Sequence, residues 1–139
     1  MLVRDVMTPH PITVQPEDNL HTVKDRMTAA HCRRLPVVDE TGKVCGIITD
    51  RDLRLAMHSP LVMRERWQDD LLLENTLVAA CMTAQPTCVT PDTPLEDAAE
   101  LMLAHKIGGV PVLENDQLVG VLTATDLMRA LIQALRTSG

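Results

Sequence analysis

The sequence predicts an α/β protein made of two pseudo-symmetric copies of one β-α-β-β-α unit, which pack through their sheets into a single module. The first observation is an internal repeat, since Met7-Thr8 returns as Met82-Thr83, 75 positions later (82 − 7 = 75). Beyond the hairpin the offset is 74, because Gly46 returns as Gly120 (120 − 46 = 74). The second observation is that both copies show the same order of strand-like and helix-like patterns.

Each copy is predicted to begin with a short strand followed by a helix. The strands are Ile12-Thr13-Val14 and Thr87-Cys88-Val89, because each β-rich run ends just before a proline. In the second copy Thr93, Pro94 and Glu96 predict a capping box with proline at the first helical position. Apolar side chains at helical spacing follow in both copies: Leu20, Val23 and Met27 in the first, and Leu95, Ala98, Ala99, Met102 and Leu103 in the second.

A β-hairpin and a second helix complete each copy. The hairpin strands are predicted at Leu35 to Val38 and Val44 to Ile48, because the five residues between them have turn chemistry. The second copy has matching runs from Val110 to Leu113 and from Leu118 to Leu122. The last helix is predicted to begin near Thr49 or Thr123, with an apolar stripe in each copy: Leu53 and Ala56, then Leu127, Ala130 and Leu131.

The domain boundaries follow from the repeat. Residues 1–58 form the first unit, 59–76 a connector and 77–139 the second unit. A unit of about 60 residues buries too little surface to be stable alone, so the two are expected to form one body.

Composition excludes several functional classes. The net charge of −6 and the single aromatic residue, Trp67, argue against nucleic acid and anionic membranes as partners. No stretch approaches the roughly 20 apolar residues that span a bilayer, and no secretory leader is visible, so a cytoplasmic location is expected. The four cysteines never occur as C-x-x-C, and the histidines lack metal-ligand spacing. Without a nucleophile–base pair or metal site, the sequence predicts a protein that is not an enzyme.

The sharpest shared pattern is Thr-x-x-Asp, formed by Thr49 with Asp52 and by Thr123 with Asp126, where a strand turns into a helix. Free N–H groups at a helix start bind phosphate, a threonine hydroxyl can donate to it, and an aspartate can accept both hydroxyls of a ribose diol. The same spacing is an ordinary capping box. In either copy alone, both interpretations remain open.

Several patterns together resemble a known family. They are the repeat, the Thr-x-x-Asp element, the Leu-Pro-Val-Val-Asp and Val-Pro-Val-Leu-Glu strands at 35–39 and 110–114, and Val-Met-Thr and Cys-Met-Thr at 6–8 and 81–83. With them the chain resembles a tandem pair of cystathionine-β-synthase (CBS) domains from about Val6 to Leu131, excepting the connector. The resemblance implies a regulatory module that binds AMP, ADP or ATP, and less often S-adenosylmethionine or NAD. It implies no catalytic cofactor.

The resemblance also implies two clefts, each joining the Thr-x-x-Asp element of one copy to the first strand and the residues before the proline of the other. Aspartate is then expected on ribose and threonine near phosphate. In the first cleft, Thr123 and Asp126 would face Ile12, Thr13, His31, Cys32, Arg33 and Arg34. In the second, Thr49 and Asp52 would face Thr87, Cys88, Lys106, Ile107 and Gly108.

The two clefts differ at one aligned pair. Arg33-Arg34 corresponds to Gly108-Gly109, which gives the first cleft two guanidinium groups suited to phosphate. We therefore expect that cleft to prefer the more highly phosphorylated ligand. The alternative is that both arginine stems cover the surface.

Two functions follow as hypotheses. In the first, the chain is an energy or metabolite sensor whose nucleotide-dependent shape is recognised by a separate, unidentified protein, with homodimerisation through helices implied by the resemblance. In the second, it is a ligand-independent dimerisation or interaction module, and both Thr-x-x-Asp elements are caps only.

Overall fold

The computed structural model describes residues 1–57 and 65–138. They form two compact units. The first-copy unit is Ile12–Gln85, and the second-copy unit is Met1–Pro11 together with Pro86–Gly139. The leading segment of each repeat therefore belongs to the unit that holds the rest of the other repeat. The spatial units and the sequence repeats, 1–58 and 77–139, thus have different bounds.

In the described residues, a 3₁₀ turn at Val3–Asp5 precedes six strands and six α-helices. In chain order they are β1 (Thr8–Pro9), α1 (Leu20–Ala30), β2 (Arg34–Val38), β3 (Val44–Thr49), α2 (Asp50–Met57), α3 (Arg66–Asn75), α4 (Val78–Cys81), β4 (Thr83–Ala84), α5 (Leu95–His105), β5 (Gly109–Glu114), β6 (Gln117–Thr123) and α6 (Ala124–Thr137). The mixed α/β class and the two hairpins predicted from the sequence are confirmed. No helix among these residues has the length and apolar character needed to cross a bilayer.

Each unit contains one three-stranded antiparallel sheet. The strand orders are β2-β3-β4 in the first-copy unit and β1-β6-β5 in the second-copy unit. Register is equivalent in the two, since Thr83 lies opposite Ile47 and Thr8 lies opposite Val121. The short strands β1 and β4 are not predicted by the sequence, because two residues that include or precede a proline show no strand pattern.

The predicted first strands are wrong, since 12–14 and 87–89 each contribute a single bridge. Val14 pairs in parallel with Val37, and Val89 pairs with Val112. The Gln15 N–H donates to Asp18 Oδ2 at 2.7 Å, which turns the chain after one paired residue. Locally bonded turns therefore replace the expected ladder.

The predicted capping box of α5 is also wrong. Its helix begins at Leu95, and the preceding Pro94 makes no side-chain cap. The Thr93 hydroxyl instead accepts a hydrogen bond from the Thr90 N–H at 3.1 Å. In the other copy Asn19 caps α1 by accepting the Thr22 N–H at 3.0 Å.

Each unit has its own hydrophobic core built from helix stripes and hairpin strands. Most predicted stripe positions are buried, but Leu103 and Leu131 are exposed. Leu73 of α3, inside the predicted connector, joins the first core. The cores consist of Val14, Leu20, Val23, Met27, Leu35, Val37, Ile48, Leu53, Leu73 and Val78 in the first-copy unit, and Val3, Val89, Ala98, Met102, Val110, Val112 and Leu122 in the second-copy unit.

Candidate functional site

Each hairpin strand that leads into a Thr-x-x-Asp element is held against a short strand by a glycine. A Cβ atom built at Gly120 would lie 2.7 Å from Met7 Sδ and 2.9 Å from the Thr8 carbonyl oxygen. At Gly46 the corresponding distances are 2.5 Å to Met82 Sδ and 3.0 Å to the carbonyl oxygen of the next residue. Only glycine leaves room for β1 to lie this close to β6 and for β4 to lie this close to β3. These close pairings fix the positions of β6 and β3, which lead into the two Thr-x-x-Asp elements.

At the start of α6, Thr123 and Asp126 form a complete capping box. The Thr123 Oγ1 accepts the Asp126 N–H at 3.2 Å, and Asp126 Oδ2 accepts the Thr123 N–H at 3.0 Å. The same oxygen accepts the Thr123 hydroxyl at 3.1 Å. The hydroxyl proton is therefore directed at the carboxylate, and the cap is structural as well as a candidate for binding.

The first-copy unit repeats this geometry at the start of α2. Asp52 Oδ2 accepts the Thr49 N–H at 2.9 Å and the Thr49 hydroxyl at 3.1 Å. The Thr49 hydroxyl oxygen accepts the Asp52 N–H at 3.2 Å. Both copies thus use one carboxylate oxygen for the cap and leave the other, Oδ1, directed elsewhere.

The surroundings of the two Oδ1 atoms differ. Asp126 is only 4% exposed, and its Oδ1 accepts the Thr8 hydroxyl at 3.2 Å. The Arg129 guanidinium lies 3.8 Å from the same oxygen. Asp52 is half-buried, and within residues 1–57 and 65–138 no donor bonds to its Oδ1. The Asp52 carboxylate is the more open acceptor.

The expected cradle of free amides is smaller than the sequence suggests. The Ala124 N–H donates to the Gly108 carbonyl at 2.9 Å, and the Asp50 N–H donates to the Arg33 carbonyl at 2.8 Å. The third amide of each helix already bonds to its capping threonine. Two of the first three amides are thus used within each unit, which leaves side chains as the main phosphate donors.

Arg33 and Arg34 lie at the hairpin end that carries Thr49. Arg34 is directly opposite Thr49 in the β2–β3 register and is half-buried, while Arg33 is exposed. Burial lowers the pKa of the Arg34 guanidinium, nearby Asp50 partly opposes that shift, and Arg33 adds to it. This end of the first-copy unit therefore carries two guanidinium groups with the Asp50 carboxylate beside them.

The other predicted cleft residues have visible structural roles. His31 and Lys106 end α1 and α5 with positive φ angles of 53° and 55°. The amides of Cys32 and Ile107 cap the same helices. The remaining four adjoin the Val14 and Val89 bridges and are partly exposed: Ile12, Thr13, Thr87 and Cys88. Among them the Thr13 carbonyl accepts the Arg26 guanidinium at 2.6 Å, and burial raises the pKa of the Cys88 thiol.

Within each unit, then, the structure groups some predicted residues and not others. Arg33 and Arg34 share one end of the first-copy unit with Thr49 and Asp52, and Gly108 joins the start of α6 in the second-copy unit. The pairing of Asp126 with 12–34, and of Asp52 with 87–108, stays a prediction.

Sequence reasoning missed two contacts of Asp126. Thr8 bonds to its carboxylate from β1, and Arg129 approaches it from one turn farther along α6. The sequence does carry a signal for Thr8, because Met-Thr recurs in both copies, but that recurrence predicts the repeat and the family and not a contact with Asp126. Arg129 had no such signal, since the aligned residue is Leu55 (129 − 74 = 55).

Comparisons with known proteins agree with the resemblance seen in the sequence. The CBS domain family model matches residues 3–59 and 78–133. A CBS domain-containing protein of Dictyostelium discoideum is 37% identical over 137 residues, which cover 97% of this chain and 94% of that protein. The structure of CBSX2 of Arabidopsis thaliana in complex with AMP has a TM-score of 0.80 and 31% identity, covering 95% of this chain and 97% of that one.

A second solved structure carries other adenosyl compounds. The CBS domain pair of protein MJ0100, in complex with 5-methylthioadenosine and S-adenosyl-L-methionine, has a TM-score of 0.80 and 27% identity. The match covers 96% of this chain and 98% of that one. Matches of this extent concern the whole repeat pair rather than one motif.

Proposed function

Because the chain belongs to the CBS domain family, we propose that it is a regulatory module that binds an adenosyl ligand and reports it to another protein. The observation that carries this proposal is the presence of two Thr–Asp elements with matching geometry, one in each unit. The AMP complex of CBSX2 and the S-adenosylmethionine complex of MJ0100 support the ligand class. AMP, ADP and ATP are the preferred candidates, ahead of S-adenosylmethionine and NAD.

In this proposal the two carboxylates recognise ribose. Oδ1 of Asp52 and of Asp126 accepts the diol hydroxyls, while Oδ2 keeps the helix cap. Arg33 and Arg34 supply charge-assisted bonds to phosphate, so the ligand site they line favours ATP over AMP. Thr49 and Thr123 can reach phosphate only by turning their hydroxyl protons away from the aspartates.

The proposed output is a change of population. A ligand that binds one arrangement of the module better than another shifts the equilibrium toward it, and a separate protein recognises that arrangement. No catalytic step is assigned to the chain, and the site residues act by binding. A cytoplasmic location is part of the same proposal, in keeping with four cysteines present as free thiols.

A second candidate function, homodimerisation, is favoured by the outer face of α6. Met128, Leu131, Ile132 and Leu135 are 59%, 50%, 45% and 64% exposed, and their spacing places them on one stripe of the helix. CBS modules typically dimerise through helices, and a twofold axis allows the same stripe to cover itself in a second copy. We assign a second copy of this chain as the occupant.

The test of ligand binding is a set of thermal melts with AMP, ADP, ATP, S-adenosylmethionine and NAD. Saturation at 100 times the dissociation constant stabilises the native state by about 2.7 kcal/mol, which raises Tm by several degrees. The matched variant is Asp52→Asn, Asp126→Asn, because asparagine keeps an acceptor for the cap but loses the charge. A shift in wild type that disappears in the variant is expected.

Two outcomes of these melts would contradict the proposed binding function. Equal shifts in wild type and variant would place the ligand elsewhere, and no shift with any of the five compounds would leave dimerisation as the better function.

Dimerisation is tested by sedimentation of wild type against Leu131→Glu. A charge at the centre of the exposed stripe should convert a dimer into a monomer that stays folded, because Leu131 is half-exposed in one chain. Leu103→Glu on α5, which is exposed but lies outside the stripe, is the control. A wild-type monomer at high protein concentration would exclude the interface.

A further inference from the structure

We propose that Thr8 competes with the ribose diol for the Asp126 carboxylate and so makes the Asp126 site weaker than its carboxylate geometry alone would allow. This inference rests on the proposed adenosyl-binding function and adds a specificity-determining residue to it. Its basis is the number of hydrogen bonds that one carboxylate can accept.

An ionised carboxylate offers about four acceptor positions, two on each oxygen. In Asp126 the Thr123 N–H and the Thr123 hydroxyl occupy both positions of Oδ2, at 3.0 and 3.1 Å. The Thr8 hydroxyl takes one position of Oδ1 at 3.2 Å and also lies 3.4 Å from Oδ2. One position is left, and a ribose diol has two hydroxyls to donate.

The first-copy unit lacks this competitor although its backbone is equivalent. Thr83 has the same strand register as Thr8, but in the described part of the chain no hydrogen bond joins it to Asp52. Among residues 1–57 and 65–138, no donor occupies either position of Asp52 Oδ1, so both are available to a diol there.

Thr8 is held in place by backbone structure rather than by its own hydrogen bond. β1 pairs with β6 at Thr8–Val121 and Pro9–Gly120, and the close approach over Gly120 fixes the strand. A diol that displaces the Thr8 hydroxyl thus breaks one hydrogen bond while the strand stays paired. Since a hydrogen bond contributes about 1 kcal/mol net, the cost corresponds to roughly fivefold in affinity.

The test uses two ligands that differ by one hydroxyl. AMP donates two ribose hydroxyls, whereas 2′-deoxyadenosine monophosphate donates one and does not need the position that Thr8 holds. Titration calorimetry is done in an Asp52→Asn background, so that binding reports on Asp126. Thr8→Val should tighten AMP about fivefold and change the deoxynucleotide less than twofold.

Two control variants separate competition from a general effect on the fold. Thr8→Ser keeps the hydroxyl and should bind both nucleotides as the background chain does. Thr83→Val changes the equivalent position of the other unit and should change neither affinity. Thermal melts of each variant check that the second-copy unit is folded.

The outcomes distinguish this inference from the proposed function. If neither wild type nor the background chain binds AMP, the proposed function fails and the competition fails with it. If wild type binds AMP but Thr8→Val weakens it, leaves it unchanged or tightens both nucleotides equally, only the competition is overturned. AMP binding that requires Asp52 but not Asp126 overturns the competition as well.

Discussion

The two units share one backbone plan, yet their candidate binding carboxylates have different surroundings. Asp126 is almost fully buried and already bonded by Thr8, whereas Asp52 is half-buried and its Oδ1 accepts no hydrogen bond from the described part of the chain. The hairpin end beside Thr49 carries Arg34, and the equivalent position opposite Thr123 is Gly109. Duplication thus preserved the geometry of the cap while side chains around it changed, so the two carboxylates are not expected to bind alike.

The largest loss of stability is expected at the two equivalent glycines, where the two units are most alike. Gly120→Ala forces a Cβ to within 2.9 Å of the Thr8 carbonyl oxygen, which belongs to the backbone and cannot rotate away. Overpacking of this kind destabilises by about 2 to 3 kcal/mol. Gly46→Ala should cost a similar amount, and urea unfolding of the two variants measures both. A difference above about 1 kcal/mol would show that β1 and β4 are not equivalent.

The next largest loss of stability should differ between the two units. Asp126→Ala keeps the backbone bond to Thr123 but removes the carboxylate half of the capping box and the bond from Thr8 inside a buried site, so we expect a loss of about 2 kcal/mol. Asp52→Ala removes only the carboxylate half of its capping box from a half-buried site, with an expected loss of about 1 kcal/mol. Thermal melts without ligand compare them. Equal losses would indicate that the Thr8 bond adds nothing to stability.

The arginine pair is expected to change ligand preference more than stability. Arg33→Ala, Arg34→Ala should weaken ATP about tenfold and AMP about threefold, because ATP has more phosphate oxygens to contact. Lys43→Ala, in the turn of the same hairpin, removes one positive charge and controls for half of the change in net charge. A lower Tm with unchanged ATP-to-AMP preference would favour the alternative, in which the arginine stems only cover the surface.

The smallest change of stability is expected at Arg129 and Leu55, the residues one turn beyond Asp126 and Asp52. Exchanging the two side chains by Arg129→Leu, Leu55→Arg moves an exposed cation from Asp126 to Asp52. The Arg129 guanidinium is 3.8 Å from Asp126 and three-quarters exposed, so the stability should change by no more than about 0.5 kcal/mol. A larger change in urea unfolding would mean that Arg129 does more than screen the carboxylate.

The sequence predicted the parts of the fold that depend on local patterns. Apolar spacing identified both helices of each copy, and turn residues identified the hairpins, because these signals lie within a few neighbouring residues. The strands β1 and β4 were missed because their pairing partners are remote: Thr8 pairs with Val121. The run 12–14 was mistaken for a strand because its composition fits one, while the turn from Gln15 to Asp18 stops the ladder.

For the candidate site too, the sequence predicts the local elements but not their remote neighbours. Both Thr–Asp elements were identified because a cap and a binding motif use the same residues at the same spacing. The neighbours of each carboxylate were not, since Thr8 reaches Asp126 across 118 positions (126 − 8 = 118). Free amides were expected where the hairpin carbonyls of Arg33 and Gly108 already accept them.

The exchange of leading segments between the units also determines the order in which the paired strands become available during synthesis. β4 leaves the ribosome soon after its partner β3, with 36 positions between Thr83 and Ile47 (83 − 47 = 36). β1 is made before the other strands, but 113 positions separate Thr8 from its partner Val121 (121 − 8 = 113). Until β6 is made, β1 lacks its native partner, and Pro9 deprives the strand of one amide donor. That proline thereby hinders the nascent segment from joining the edge strand of a neighbouring chain.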